Sequence, residues 1–283
     1  MVRICYNQPM KILAVSGGID SVVMLHYLRN EPDIIVAHID HGIRPSSGED
    51  CAFVERLAGE YGLKFACRHA KLGPDCSEAK ARQVRYELLA EIAAENGGGE
   101  LYVAHHSDDV LESIVINLLR GTGWRGLAPM RSEGVVRPLL GWSKADIYRY
   151  ATEHNLSFRL DQTNNEDAYL RNRVRQKLRD LPAESKQQLL ELYARQCEIK
   201  DGIDAFVDSE LAQFDLRHLP RDYFTTPESV EILRELLARQ NIHLTRPQLQ
   251  QCLHAIQTFA PGKKHSLDRN HFLQITKYHF AIV

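Results

Sequence analysis

The chain has 283 residues, 44% of them apolar and 25% charged, with 35 Lys and Arg against 37 Asp and Glu. These values fit a globular protein of about two domains and exclude a wholly disordered, collagen-like or low-complexity chain. A formal charge of −2 excludes a protein that is basic as a whole, and apolar runs such as residues 34–37 are too short to cross a bilayer.

Residues 11–15 form a short, mostly apolar run and read as a first strand, followed by Ser16-Gly17-Gly18 and a helical pattern over 21–28. Residues 34–39, rich in Ile and Val, read as a second buried strand, and 50–61 as an amphipathic helix. Residues 64–67 are a third strand candidate. A longer helix over 77–96 stops at Gly97-Gly98-Gly99, and a fourth strand (101–104) and helix (108–119) follow. Ser143 with Asp146 three residues on is a helix-start signature. Short strands alternating with helices imply an α/β fold, a doubly wound and mainly parallel sheet covered on both faces. Such sheets bind ligands at the carboxyl ends of their strands. Three of those ends run into polar loops: Ser16-Gly17-Gly18, Asp40-His41-Gly42 and His105-His106-Ser107-Asp108-Asp109.

The pattern changes near residue 183. One long helix is expected over 185–214, further helices from Thr226-Pro227 and from Thr245, and a terminal β-hairpin over 265–283. The expected domains are therefore 1–182 and a smaller, mainly helical 183–283. The first 14 residues contain Arg3 and Lys11 but no apolar core of a signal peptide, so a cytoplasmic location with no membrane partner is expected. Six cysteines show no C-x-x-C spacing and read as small buried hydrophobes.

The near-neutral average hides a segregation of charge. Residues 1–119 hold eleven basic and seventeen acidic side chains, 120–179 twelve against six, and 180–283 twelve against fourteen. The basic block ends in Arg171, Arg173, Arg175, Lys177 and Arg179. Such a block can bind phosphates or form a solvated helix face.

Ser16-Gly17-Gly18-Ile19-Asp20-Ser21 places glycines and a helix start directly after a strand, where backbone N–H groups can approach a phosphate. It matches neither the Walker nor the Rossmann pattern. It resembles the pyrophosphate loop of the N-type ATP pyrophosphatases, the PP-loop superfamily. Further motifs follow: His38-Ile39-Asp40-His41-Gly42-Ile43-Arg44, Ala81-Arg82-Gln83-Val84-Arg85-Tyr86 and His105-His106-Ser107-Asp108-Asp109 with Glu112. Arg120-Gly121-Thr122-Gly123, Arg137-Pro138-Leu139-Leu140, Asp161-Gln162-Thr163-Asn164 and Arg171-Asn172 with Arg175 complete the set. Together they resemble the motifs of the tRNA(Ile)-lysidine synthase family.

The resemblance implies a PP-loop fold and a two-step ligase reaction. ATP adenylates C2 of the wobble cytidine in an isoleucine tRNA with a CAU anticodon, and the ε-amine of free L-lysine then displaces AMP. It implies ATP binding by Ser16, Gly17, Gly18, Ile19, Asp20 and Ser21, catalytic roles for Asp40 and Asp109, Mg²⁺ held at Asp40, and lysine binding by Asp109 and Glu112. Arg82, Arg85, Arg120, Arg171, Asn172 and Arg175 are the expected phosphate or tRNA contacts.

On residue chemistry alone, Asp109 and Glu112 share a helical face and can bind an ammonium or accept a proton, or form a helix cap beside a solvated Glu. Arg82 and Arg85 can fork a phosphate or form surface salt bridges. Arg120-Gly121-Thr122-Gly123 reads as a mobile cover or a helix-ending turn. His105 and His106, being adjacent, are not assigned a metal. Longer family members carry an additional carboxyl-terminal tRNA-binding domain, for which 283 residues leave no room. Recognition of the tRNA body is then expected in 183–283, with Lys263, Lys264, Arg269 and Lys277 as local candidates. A PP-loop tRNA thiolase and a non-catalytic adenine-nucleotide module are the alternatives. The oligomeric state stays open, a homodimer among the options.

Overall fold

Alternate residues of a strand point to opposite faces of a sheet, and the first strands show what this does here. A computed structural model describes residues 9–40, 47–70, 76, 78–159, 170–215, 218–226 and 228–283. Strands β1 (Met10–Ala14), β2 (Ile34–Asp40), β3 (Lys64–His69), β4 (Gly99–Tyr102) and β5 (Val135–Val136) form one parallel sheet in the order β3-β2-β1-β4-β5. Leu13 and Val36 pack on one face with Val22, Val54, Leu139 and Ile147. Ile12 and Ile35 pack on the other with Leu89 and Ile92. Helices α1 (Ile19–Leu28), α2 (Ser47–Glu60) and α5 (Lys144–Glu153) thus cover one face, and α3 (Glu78–Glu95) the other. All seven residues of β2 are buried. That is the signature of a central strand in a doubly wound sheet, where each buried aliphatic side chain contributes about 1.5–3 kcal/mol. Gly99 is dictated by packing, since a Cβ there would lie 2.3 Å from the Met10 carbonyl oxygen.

β1 is flanked by β2 on one side and β4 on the other, so the strand order reverses between β1 and β4. The loops leaving these two strands diverge to opposite sides and leave a crevice at their carboxyl ends. Helix α4 (Ser107–Leu119) begins at that crevice, and α6 (Leu170–Arg179) packs on it.

The chain divides into two compact units, Met1–Gln196 and Cys197–Val283. Residue 183, where the sequence pattern changes, is the first residue of α7 (Ala183–Leu211). The second unit contains the end of α7, α8 (Ser229–Ala238) and α9 (Arg246–Thr258), with a core of Phe224, Leu233, Leu236, Ile256, Leu273 and Phe280. Thr245 starts α9 as expected, its backbone N–H donating to Gln248 Oε1 at 2.8 Å. The expected hairpin is β8 (Phe272–Ile275) with β9 (His279–Ile282), and it is extended by β7 (Lys264–Ser266) and β6 (Leu219–Pro220) into an antiparallel sheet ordered β6-β9-β8-β7. Strands of two and three residues carry too little alternation to be legible alone. No helix among the described residues is long and apolar enough to cross a membrane.

Candidate active site

Ser16-Gly17-Gly18 leaves β1 and turns directly into α1. Gly17 has φ +91°, a left-handed conformation that costs an L side chain about 1–2 kcal/mol. The Ser21 hydroxyl holds the turn. It donates to the Gly18 carbonyl (2.8 Å), accepts from the Ser16 backbone N–H (3.2 Å) and lies 3.2 Å from the Ser16 hydroxyl. Gly18 is the N-cap of α1 and makes no side-chain cap, so the partial positive charge of the helix start faces the crevice. The loop is fastened from behind. Arg159 donates its backbone N–H to the Gly17 carbonyl at 2.9 Å, while its guanidinium pairs with Asp50 (2.9 Å) and Glu49 (2.7 Å).

A group of carboxylates gathers beside this loop. Asp20 stands in the first turn of α1, Asp108 and Asp109 in the first turn of α4, and Glu112 one turn on. Lys144, the first residue of α5, bridges them: its Nζ is 2.5 Å from Asp20 Oδ1 and its backbone N–H donates to Asp108 Oδ2 at 2.8 Å. Buried His106 lies among the same groups, 3.8 Å from Asp20, 3.7 Å from Asp108 and 3.6 Å from Asp109.

Asp109 caps its own helix, accepting the His106 backbone N–H at 2.9 Å. Glu112 is not a solvated face residue. It is 4% exposed and held by Arg175, which donates from Nε at 2.6 Å and from Nη2 at 3.1 Å. The hydrogen bond to Glu112 raises the Arg175 pKa, and Asp109 and Asp20 act in the same direction. Four carboxylates thus face two cations, Lys144 and Arg175, among the described residues.

A second group forms on the other side of the β4 end. Burial, then Arg82, Arg137 and Arg85, drive the His105 pKa down to about 3, so this imidazole is neutral near pH 7. Burial also lowers the pKa of Arg85 and of Arg137. Arg82 and Arg85 lie 5.1 and 5.6 Å from the Tyr86 ring centroid. Among the described residues, His105 Nδ1 and Arg137 Nε are buried with no hydrogen-bond partner. Buried polar atoms of this kind are costly unless a ligand completes them.

Asp40 ends β2, buried, with its Oδ2 2.9 Å from His69 Nδ1 on the neighbouring strand. Asn172 is half-buried and Arg171 exposed on α6, and Arg171 is close enough to Arg85 to help lower its pKa. Arg120 lies at the opposite end of α4 from Asp109, about 16 Å away at 1.5 Å per residue. Residues 120–123 form the helix-ending turn of α4, with Gly121 at φ +70° and the Asn117 amide donating to the Gly126 carbonyl at 2.9 Å. His41-Gly42-Ile43-Arg44 and Asp161-Gln162-Thr163-Asn164 lie outside the described residues.

The structure adds Lys144, Arg159, Arg137 and His69 to the residues singled out from sequence. Only Arg137 had a sequence signal, through its place in Arg137-Pro138-Leu139-Leu140. The others come from distant segments, and only the fold brings them in. Cys51 and Cys67 also differ from the reading as isolated hydrophobes. Their sulfurs are 2.9 Å apart, and burial together with Cys51 pushes the Cys67 thiol up to about 12. A thiol held protonated is a poor nucleophile.

A switch-point crevice with a Ser-Gly-Gly turn at one helix start and paired carboxylates at the next defines a nucleotide-binding α/β domain. The PP-loop domain model matches residues 5–181, and the chain belongs to that family. Among curated proteins it is 33% identical over 243 residues to the tRNA(Ile)-lysidine synthase of Thermotoga maritima, covering 80% of this chain and 58% of that protein. It is 35% identical to the enzyme of the same name from Porphyromonas gingivalis, covering 72% and 47%. The Geobacter sulfurreducens enzyme is 38% identical, covering 59% and 39%. The chain thus spans little more than half the length of the Thermotoga relative. Among solved structures, the U34-tRNA thiolase NcsA from Methanococcus maripaludis shares the fold, with TM-score 0.56 and 20% identity over 70% of this chain and 75% of that one.

Proposed function

We propose that the protein is an ATP-dependent ligase that converts the wobble cytidine of CAU-anticodon isoleucine tRNA to lysidine with free L-lysine. One observation carries the reading. The pyrophosphate-type loop at Ser16–Ser21 and the carboxylate group of Asp20, Asp108, Asp109 and Glu112 open on the same crevice between β1 and β4, in a chain whose curated relatives bear that activity in their names.

In the first step the cytidine C2 oxygen attacks the α-phosphorus of ATP and pyrophosphate leaves. The loop N–H groups and the Ser16 and Ser21 hydroxyls receive the leaving phosphates. In the second step the lysine ε-amine attacks C2, and AMP departs with the oxygen. The amine sheds its proton to a neighbouring carboxylate, a role this reading gives to Asp109. The excess of carboxylates over cations draws in the ammonium of lysine. Arg82, Arg85, Arg137 and Arg171 supply a cationic wall for phosphate, where an anion would complete the unpartnered Arg137 Nε and His105 Nδ1. Arg175 orients Glu112 rather than standing free for phosphate. Asp40, a hard oxygen donor at a strand's carboxyl end, would hold Mg²⁺, which supplies charge neutralisation to the ATP phosphates when bound.

The protein would be cytoplasmic, with residues 1–182 the catalytic domain and 183–283 an accessory tRNA-contacting domain. Incubation with ATP, labelled lysine and CAU-anticodon isoleucine tRNA is expected to yield pyrophosphate, AMP and lysine-labelled tRNA. Initiator methionine tRNA, with the same anticodon, is expected to remain unlabelled. Pyrophosphate release without lysine transfer would overturn the ligase assignment.

A further inference from the structure

The second unit carries its own segregation of charge. Residues 180–239 hold seven Lys and Arg against thirteen Asp and Glu. Residues 240–283 hold five, Arg246, Lys263, Lys264, Arg269 and Lys277, against Asp268 alone. Five of the chain's thirteen histidines fall in the same stretch.

The fold gives this stretch a concave surface. Pro247, Gln250, Gln251 and His254 recur at helical spacing on α9 and line one wall of an open cavity of about 490 Å³, while Phe259 and His265 line the other. That volume lies within the range of small-molecule sites, about 300–1,000 Å³. The Phe259 and His265 rings meet edge to face, with centroids 5.9 Å apart. Burial lowers the His265 pKa, favouring a neutral ring that both donates and accepts. Lys263 and Lys264 immediately precede His265 and are exposed. Lys277 lies 5.0 Å from the ring centroid of Tyr278, which is 65% exposed. The platform is tied together by Arg221, which donates to the carbonyls of Ile256 (2.6 Å) and Phe259 (2.9 Å) at the end of α9 and of Thr276 (2.9 Å) in the β8–β9 turn.

We propose that the cavity between α9 and β7 is a subsite for one unstacked nucleobase of single-stranded RNA, with Lys263 and Lys264 on its flanking phosphates. Proteins read unpaired bases by stacking them on aromatic or imidazole rings and by hydrogen bonding their edges, with cations on the backbone. Phe259 and His265 supply the rings. Gln250 and Gln251 each supply a donor and an acceptor for a base edge. The excess of positive charge matches an RNA backbone. The inference rests on the tRNA-modifying reading above, and it assigns to this unit the contact with an unpaired segment of that substrate.

The full chain is titrated with a single-stranded oligoribonucleotide of about twelve residues carrying one 2-aminopurine, and with the same oligonucleotide abasic at that position. The base-bearing probe is expected to bind about tenfold tighter, with its fluorescence quenched by stacking. Gln250→Ala with Gln251→Ala, both exposed positions, is expected to cut that preference at least about threefold while leaving the abasic affinity and Tm unchanged. Equal affinity for the two probes in the unaltered chain, or an intact preference in the double variant, overturns the subsite. Lys263→Gln with Lys264→Gln is expected to flatten the log–log salt slope by about 1.4. An unchanged slope overturns the phosphate contacts. Lysine transfer without a base preference defeats this inference alone, and a base preference without lysine transfer defeats the ligase reading alone.

Discussion

His105 and His106 are neighbours in the chain and occupy opposite electrostatic surroundings. His106 is buried among Asp20, Asp108 and Asp109. His105 lies among Arg82, Arg85 and Arg137, with its pKa driven to about 3. Extended backbone sends successive side chains to opposite sides, so the end of β4 divides the crevice into an anionic half and a cationic half. The division teaches how a near-neutral chain can carry two local fields of opposite sign, which under the proposed function suit an amine on one side and phosphates on the other. Net charge reports neither half.

The largest test of this division removes the carboxylates. Asp40→Asn and Asp109→Asn are each expected to lower lysine transfer at least about 100-fold, with the thermal transition within a few degrees of the unaltered protein, since each swap keeps an oxygen in place. Full transfer activity in both variants would falsify the site assignment. Next comes the buried pair. Glu112→Gln is expected to destabilise the fold by about 3 kcal/mol in urea titration, because Arg175 then loses its charged partner in a half-buried setting. A loss below about 0.5 kcal/mol would show that the pair is solvated.

The cationic half gives a smaller, salt-dependent effect. Arg82→Gln and Arg137→Gln are each expected to weaken tRNA binding about five- to tenfold and to flatten the salt slope by about one unit. A slope that stays fixed removes phosphate from that wall. The smallest effect is on pH. Unfolded His105 takes up a proton near the ordinary imidazole value of 6.5, whereas burial and the neighbouring arginines let the folded group do so only near 3. The unfolded state therefore binds more protons in that window, and stability falls as pH drops from about 6.5 toward 3. His105→Gln should make Tm less sensitive to pH across that window, and an unchanged dependence would place the histidine in solvent.

The scaffold beneath this division was legible beforehand, and the reasons are local. Ser16–Ser21 could be placed because a buried strand, a glycine turn and a helix start follow one another without a gap. Asp109 and Glu112 could be paired because a helix puts residues three apart on one face. The role of Glu112 could not be read, because its partner Arg175 lies 63 residues on and reaches it only through the packing of α6 on α4. Lys144 meets Asp20 across 124 residues, and Arg159 fastens Gly17 from a segment with no phosphate-loop pattern.

The sequence alone determined the periodicities, and with them the parallel sheet, the order of its loops and the sheet edge at which its polar loops emerge. Those features follow from local repeats of two and 3.6 residues and from glycine at fixed points. Tertiary structure decided which charges meet. It set His105 against arginines and His106 against carboxylates, and it committed Arg175 to Glu112. Electrostatic energies depend on distance and burial in space, and separation along the chain fixes neither.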